Sequence, residues 1–342
     1  MNSRAIASAS KGYEGLVNRC REAVSSRDRR MNMSGIDLSS PDVVRELCRI
    51  IRGEVEENHS HHKNVFEFIL CKLGDEHLIS ILGSIEFGRE SRSLRLGWNK
   101  ITPLGVPALE YFFSPRIPSS DHSSVTNSET EDSFMIDMLD MEGNYLGDEG
   151  CSAFTTIIPH GTRFGILNLQ NNNISVAGIS SLQKMFQCGV TVRQLNLQGN
   201  NIGRVGVEVL FDSVEYTGGV LTELNISGNK IGKEGSVFAA QILNSCSSLT
   251  VLDISNNCIG DMGAIVIGEA LRDNKTLTCI DISNNDISSV GMEDLSAYLA
   301  RNAALTTLKL TRTNSKLKSI GEKGGMAIAQ LLSENETLTS IE

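Results

Sequence analysis

The segment from residue 249 to 263, LTVLDISNNCIGDMG, concentrates residues that could do chemistry. It holds two Asp, two Asn and one Cys, which are types used in metal sites and around nucleophiles. Its glycines would also suit an anion-binding loop. A closely similar segment, LTCIDISNNDISSVG, begins at Leu277. A chemical site is rarely present in two neighbouring copies, so the repetition favours a structural role.

The recurrence extends over most of the chain, and asparagines mark it. Six of them, from Asn144 to Asn285, follow one another at steps of 28, 28, 29, 28 and 28 residues. Asn99 marks the same unit 45 residues before Asn144, and the slot 28 residues before Asn99 holds Cys71. Thr313 occupies the slot 28 residues after Asn285. Self-similarity at this period is the sequence signature of a stacked repeat architecture.

The repeated pattern, LxxLxLxxNxIxxxG, resembles the leucine-rich repeat, and its length and glycine resemble the ribonuclease-inhibitor-like class. The resemblance covers roughly residues 64 to 342. It implies an α/β solenoid shaped as a horseshoe, with parallel strands on the concave face and helices on the convex face.

Elementary geometry explains why each residue that recurs in the repeat unit has a structural role. The two alternating Leu make a short strand with an inward face. The slot Asn can donate to and accept from backbone groups where the chain turns. The glycine, such as Gly263, is expected to let the helix approach the sheet. We expect an internal ladder of these side chains: Cys71, Asn99, Asn144, Asn172, Asn200, Asn229, Asn257, Asn285 and Thr313.

Residues outside this unit suggest how the chain is organised. Residues 1–63 are predicted to form an N-terminal capping helix and a degenerate cap repeat, followed by the repeat domain at 64–342. An acidic, Ser/Thr-rich insertion at 114–133 interrupts that domain and would suit an acidophilic kinase. The final residues, ETLTSIE, match KTLTCID at 275–281. The C-terminus is therefore predicted to end in the middle of a repeat.

Specificity must lie in the positions that vary between repeats, on the predicted concave face. The outward side chains there are rich in amides and acids, with cationic residues near both ends. We predict the following partner-binding residues: Arg95, Trp98, Asp140, Glu142, Asn168, Asn196, Glu223, Asn225, Asp253, Asp281 and Lys309. The alternative is that Asp and Asn are simply common fillers of this strand position.

Several function classes find no support in the sequence. The net charge of −10 offers no basic stripe for nucleic acid. No apolar run approaches the roughly 20 residues that span a bilayer, and no secretory signal begins the chain. His59, His61 and His62 lack carboxylate or Cys partners at suitable spacing, so no metal site is predicted. Catalytic and nucleotide-binding signatures are also missing, so we expect neither enzyme nor cofactor.

The main hypothesis is a non-enzymatic scaffold that binds a protein partner through the concave face. An acidic groove favours a basic partner. The repeat class suggests a cytoplasmic protein, with a cytoskeletal, axonemal or flagellar assembly as the more specific hypothesis. One alternative is a Ran GTPase-activating protein, whose partner is a small GTPase. Another is the ligand-sensing repeat domain of an innate-immune-type receptor.

At the start of the helix after each turn, an acid such as Asp261 is expected to cap its own helix, because carboxylates favour the positive end of the helix dipole.

Overall fold

The computed structural model describes residues 3–26, 28–53, 63–87, 92–114, 134–217, 219–311 and 320–342. The chain divides into two compact units, Met1–Asn168 (unit 1) and Leu169–Glu342 (unit 2). Within the described ranges, no helix is both long and apolar enough to cross a lipid bilayer.

Unit 1 alternates helices and strands, and its five described strands are parallel neighbours in chain order. The strands are β1 (Arg30–Asn32), β2 (Val65–Glu67), β3 (Ser93–Arg95), β4 (Met135–Asp140) and β5 (Arg163–Asn168). The helices are α1 (Ser3–Ser25), α2 (Pro41–Ile51), α3 (Asp75–Leu82), α4 (Glu110–Phe113) and α5 (Gly147–Ile157), with a 3₁₀ turn at Val106–Leu109.

Unit 2 continues the alternation with six described strands, again parallel and in chain order. These are β6 (Thr191–Asn196), β7 (Glu223–Asn225), β8 (Val251–Asp253), β9 (Cys279–Asp281), β10 (Thr307–Lys309) and β11 (Ser340–Ile341). The helices are α6 (Val176–Gln187), α7 (Gly203–Val214), α8 (Gly232–Ser245), α9 (Gly260–Asp273), α10 (Ser289–Leu299) and α11 (Gly321–Glu334), with a 3₁₀ turn at Glu215–Thr217. The predicted α/β repeat fold is confirmed.

Each repeat encloses its own layer of apolar core between strand and helix. In the repeat around β8, Leu252, Ile254, Ile259 and Leu271 are all at most 1% exposed. Full burial of such a side chain contributes about 1.5–3 kcal/mol. The outward strand residues on either side of Leu252 remain half-buried, which is the alternation predicted for a strand that covers a core on one side.

The glycine that follows the turn makes room chiefly for the isoleucine four residues before it, whereas the sequence indicated that it lets the helix approach the sheet. A Cβ on Gly263 would lie 2.4 Å from Cβ of Ile259, four residues earlier in the same repeat. A Cβ on Gly235 would lie 2.5 Å from Cγ2 of Ile231 and 3.3 Å from Cα of Arg204 in the preceding repeat. The glycine therefore leaves room for the inward isoleucine and the neighbouring helix, and a larger residue would displace both.

At the N-terminus, α1 packs on α2 and β1, and its side chains Val17, Cys20 and Val24 are buried. The strand that follows buries Met31 completely. Helix α1 therefore covers β1 and α2 with apolar side chains. The division of the domain at residue 63 stays a prediction.

The repeat that precedes the insertion is held by aromatic rings in edge-to-face contact. Phe112 meets Phe87 edge-on with ring centroids 5.3 Å apart, and Phe113 meets Phe164 at 6.3 Å. Edge-to-face pairs stabilise a core beyond their buried area. The short α4 is therefore anchored to β5 across the residues of the insertion.

Candidate interaction surface

The outward side chains at the ends of the strands line one side of the strands in each unit, which we call the strand face. In unit 2 the last residues of β7 to β10 are in register, so that Asn225, Asp253, Asp281 and Lys309 form one row. Neighbouring strands lie about 4.7–4.9 Å apart, and each side chain in the row is therefore in reach of the next.

The amides and carboxylates of this row are held by the backbone of their own repeat. Oδ1 of Asp253 accepts from the Ser255 N–H at 2.9 Å, and Oδ1 of Asp281 accepts from the Ser283 N–H at 2.9 Å. Asn196 and Asn225 make the same bond to the N–H two residues on, at 3.1 and 3.0 Å. The geometry thus supplies a structural reason for Asp or Asn at this position. This agrees with the alternative that these residues are common fillers of the strand position.

Asp253 and Asp281 nevertheless form an unusual pair. They are direct register partners on β8 and β9, so two carboxylates stand side by side. Burial, with a smaller contribution from the charge of Asp281, raises the pKa of the Asp253 carboxyl above its usual range, although hydrogen bonds from Ser255 oppose the shift. The two carboxylates therefore repel each other, and Asp253 is in addition partly desolvated.

The remaining predicted residues of unit 2 are partnered on the same face. Glu223 Oε1 accepts from Gln194 Nε2 at 2.8 Å. Asn196 Nδ2 donates to Gln170 Oε1 at 2.9 Å. Lys309 Nζ lies 3.5 Å from Glu342 Oε2, and the charge of Glu342 raises the pKa of this ammonium group. Cross-strand pairs thus orient most of this surface.

On the strand face of unit 1, charged side chains form a continuous network. Glu67, only 4% exposed, is 3.0 Å from Arg95 Nη1 and 3.5 Å from Arg30 Nη1. Arg95 Nε lies 3.5 Å from Asp140 Oδ2. Asn168 Nδ2 then donates to Asp140 Oδ1 at 3.0 Å. Opposite charges therefore alternate from β1 to β4.

Two other predicted residues of unit 1 lie beside this network. Glu142 is half-buried, and its Oε2 accepts from Asn168 Nδ2 at 3.4 Å. Trp98 lies outside the rows of strand residues, on the turn after β3, where it is 48% exposed and has a φ of 57°.

The slot residues repeat one set of hydrogen bonds along each unit. Asn257 Oδ1 accepts from the Asn229 N–H of the preceding repeat at 2.7 Å. Its Nδ2 donates to the carbonyls of Ile226 and Ile254 at 2.9 and 3.0 Å. The Cys71 thiol donates to the Met33 carbonyl at 3.1 Å. All slot residues within the described ranges are buried: Cys71, Asn99, Asn144, Asn172, Asn200, Asn229, Asn257 and Asn285.

A leucine-rich repeat family profile matches residues 190–211, 220–236, 245–268 and 273–296. Together with the repeated strand, asparagine turn and helix, this match shows that residues 190–296 of the chain contain leucine-rich repeats. The ribonuclease-inhibitor-like class remains a prediction.

Solved structures of similar architecture include the leucine-rich repeat-containing protein LegL7 from Legionella pneumophila, at 16% identity and a TM-score of 0.50 over 93% of this chain and 95% of that one. An internalin from Listeria monocytogenes matches at 16% identity and a TM-score of 0.47 over 97% and 87%. Leiomodin-1 actin-binding site 2 matches at 27% identity and a TM-score of 0.35 over 38% and 75%. No curated protein matches the chain.

Asp261 lies in the first turn of α9, where its charge suits the helix dipole as predicted. Its carboxylate also binds the next repeat: Oδ1 accepts from the Ser288 N–H at 2.6 Å, and Oδ2 accepts from the Ser288 hydroxyl at 2.8 Å. In unit 1, Asp75 makes the same two bonds to Thr102. This acid therefore links neighbouring repeats.

A second asparagine series, missed in the sequence, lies where each helix returns to a strand. Asn302 Nδ2 donates to the Leu271 and Asn274 carbonyls, and its Oδ1 accepts from the Leu305 N–H at 2.7 Å. Asn274 and Asn335 make corresponding bonds. The signal was present as NKTLT, NAALT and NETLT, in which an Asn precedes the Leu by three residues. Glu67 was also missed, since its repeat is irregular.

Some predicted features lie outside the described residues. These are Thr313, the three histidines at positions 59, 61 and 62, and residues 115–133 of the insertion.

Proposed function

We propose that this protein is a non-enzymatic scaffold that binds a protein partner through its strand face. The observation that carries the proposal is the row in unit 2 formed by Asn225, Asp253, Asp281 and Lys309, in which two acids are adjacent. Each Asp is held in one orientation by a backbone N–H of its own repeat, so little conformational entropy is lost when a ligand binds.

The adjacent acids define the chemistry of the partner. A Lys or Arg side chain between Asp253 and Asp281 would offset their mutual repulsion, because charge-assisted hydrogen bonds are stronger than neutral ones. The remaining predicted surface in this unit, with Asn196, Asn225 and Glu223, would accept or donate hydrogen bonds around that cation. We therefore propose a basic protein surface, such as one on a small GTPase or a component of a cytoskeletal or axonemal assembly.

The test uses variants that remove charge and keep the fold. In Asp253→Asn/Asp281→Asn, the amide oxygens still accept from the Ser255 and Ser283 N–H groups, since Asn225 makes this bond in the wild type. Partners would first be captured by crosslinking in native cells and then purified. We expect the double variant to bind such a partner about tenfold or more weakly at low salt, within the range of measured couplings between close charge pairs.

The matched control is Asp212→Asn/Asp294→Asn, which makes the same change of net charge on exposed positions of α7 and α10. Binding by this control should remain close to that of the wild type. The acidic strand face is not the binding site if Asp253→Asn/Asp281→Asn binds the partner as tightly as the control Asp212→Asn/Asp294→Asn. The same conclusion follows if raising the salt to about 0.5 M leaves the wild-type affinity unchanged.

An activity assay separates the scaffold from a GTPase-activating function. Purified Ran loaded with GTP is incubated with the chain, and phosphate release is measured. The scaffold proposal expects the intrinsic rate of hydrolysis, whereas acceleration by the wild type that Asp253→Lys/Asp281→Lys abolishes would assign the activating function to this face.

A further inference from the structure

The turn that follows each strand has a left-handed residue immediately before the slot residue. In unit 2 this position is occupied by small or turn-forming residues with positive φ: Asn171, Gly199, Gly228, Asn256 and Asn284. Gly adopts this conformation without steric cost, and Asn tolerates it. In unit 1 the same position is occupied by Gly143, with a φ of 64°, and by two bulky residues, Leu70 and Trp98, both with a φ of 57°.

Burial does not explain these two bulky residues. Leu70 is 60% exposed and Trp98 is 48% exposed. Both side chains therefore combine an unfavourable backbone conformation with an unfavourable exposure of apolar surface. Strained residues of this kind are concentrated at functional sites, and Trp is enriched among the residues that dominate binding energy.

Leu70 and Trp98 lie next to each other on consecutive turns. The Leu70 N–H donates to the Gly97 carbonyl at 3.0 Å, so the two turns are directly hydrogen-bonded. The indole packs over Gly143 on the other side, where a Cβ would lie 2.7 Å from Cδ2 of the ring. Glycine thus creates the space for the ring and holds it in place, and Tyr145, 66% exposed, lies on that same turn.

Charges around the two side chains indicate what they would bind. Lys100 is exposed two residues after Trp98, and no described carboxylate lies within ion-pair distance of it. On the strand side, Asp140 is bound by Arg95 and Asn168. Lys72, next to the other turn, is paired with Asp37. Glu142 also lies near the pair, because its carbonyl accepts the Trp98 N–H, but its carboxylate accepts from Asn168 Nδ2 at 3.4 Å. Among the described charged groups beside the apolar pair, Lys100 is therefore the one that remains to bind an opposite charge.

We propose that Leu70 and Trp98 form a docking site for a peptide segment of a protein partner that carries an apolar or aromatic side chain beside an acidic residue. The apolar side chain would cover the exposed faces of Leu70 and Trp98, and the acid would pair with Lys100. This site lies in unit 1 and depends neither on Asp253 nor on Asp281, so it can fail or succeed independently of the acidic strand face.

The experiment begins with a random peptide library displayed on phage. The library is selected on the wild-type chain after depletion on Leu70→Asn/Trp98→Asn. Asn suits the left-handed position, as Asn171 shows in unit 2, so the variant should melt within a few degrees of the wild type. We expect the enriched peptides to share an aromatic or aliphatic residue next to Asp or Glu.

Trp98 is the only tryptophan of the chain, so its fluorescence reports directly on the site. Titration with an enriched synthetic peptide should shift the emission to shorter wavelength. Leu70→Asn should weaken the affinity about thirtyfold, as expected for a hot-spot residue. Lys100→Glu should weaken it about tenfold, and replacing the acid of the peptide by Lys should have a similar effect.

Met262→Asn serves as the control, because Met262 is an exposed apolar residue of unit 2 at 58% exposure, and its replacement should leave the affinity unchanged. The proposal is overturned if no motif is enriched, if the enriched motif is basic, or if Leu70→Asn/Trp98→Asn binds as tightly as the wild type. An emission shift with anionic lipid vesicles but not with peptides would also overturn it, in favour of a membrane surface. A large fall in melting temperature of the Asn variant would assign the pair to folding instead.

Discussion

The Oδ1 atom of Asn257 accepts the backbone N–H of Asn229 at 2.7 Å, from one repeat to the preceding one. The amide of Asn257 also donates to two carbonyls that no sheet neighbour satisfies. One fully buried side chain therefore joins two turns, and its position recurs with the period of the sequence. The stability of each unit should depend on these joints.

Asn257→Ala should destabilise unit 2 by about 2 kcal/mol or more, because it leaves the buried N–H groups of Asn229 and Ile231 without their acceptor at about 1–3 kcal/mol each. Urea unfolding followed by circular dichroism measures this loss. Asn257→Cys should be milder, since the sulfur of Cys71, in the same slot of unit 1, accepts from backbone N–H groups. The control Asn244→Ala, at an exposed position of α8, should change stability by less than about 0.5 kcal/mol. Equal losses in the two Ala variants would refute the structural role of the slot.

Asp261 and Ser288 should be energetically coupled across two repeats. A double-mutant cycle with Asp261→Ala and Ser288→Ala is expected to give an interaction energy of about 0.5–3 kcal/mol, the range for residues in direct contact. The Ser288 N–H survives in both variants, so the cycle measures the hydroxyl bond of 2.8 Å. Additive single-variant losses would mean that this bond contributes nothing to stability.

The pKa of Asp253 predicts a pH dependence of stability. Because burial raises this pKa in the folded protein, the folded state binds the proton more tightly than the unfolded state does. Stability attributable to this group is therefore greatest in acid and is lost as the pH rises from the ordinary Asp pKa of about 3.9 through the raised value. Asp253→Asn should remove that loss and be the more stable protein at neutral pH.

The measurement is a pair of urea titrations for each protein, at about pH 4 and at about pH 7. The midpoint at pH 4 minus the midpoint at pH 7, taken with its sign, should be smaller in Asp253→Asn than in the wild type. Asp212→Asn, which removes an exposed acid of α7, should leave the difference unchanged. A larger difference in Asp253→Asn would reverse the sign and contradict the prediction.

Gly143→Ala should disturb Trp98, whereas Gly147→Ala should not. Both glycines have positive φ, 64° and 54°, but only at Gly143 would a Cβ meet another group, the indole at 2.7 Å. Each variant carries the backbone cost of roughly 1 kcal/mol for a left-handed Ala. Only Gly143→Ala should also shift the emission maximum of Trp98 and lose further stability. Identical spectra for the two variants would exclude the contact between ring and glycine.

Thiol labelling should divide the eight cysteines by burial. Cys188 and Cys258 are exposed, whereas burial raises the pKa of Cys71 and Cys151 to about 12. The thiolate is the reactive form. Iodoacetamide at neutral pH should therefore modify Cys188 and Cys258 in the native protein well before Cys71 and Cys151, as read by peptide mass spectrometry. Early modification of Cys71 would show that the N-terminal repeats open.

By itself, the sequence determined the repeat, its strand, turn and helix, and the positions of the slot asparagines. It could do so because each of these features depends on contacts that recur with a constant period. The apolar positions of Leu252 and Ile254 recur from repeat to repeat, and the position of Asn257 follows them at a constant distance. In a protein built from stacked repeats, the sequence pattern of each repeat independently predicts the same strand, turn and helix.

Only the tertiary structure decided what the non-repeating side chains contact. Asp261 lies in the first turn of its own helix, as expected, but it also binds Ser288 of the next repeat, which the sequence did not indicate. Glu67 sits between two arginines of the neighbouring strands, and Trp98 occupies a left-handed turn over Gly143. The physical reason is that these contacts join residues about one repeat apart, and side-chain direction and space at that distance are set by how neighbouring repeats stack.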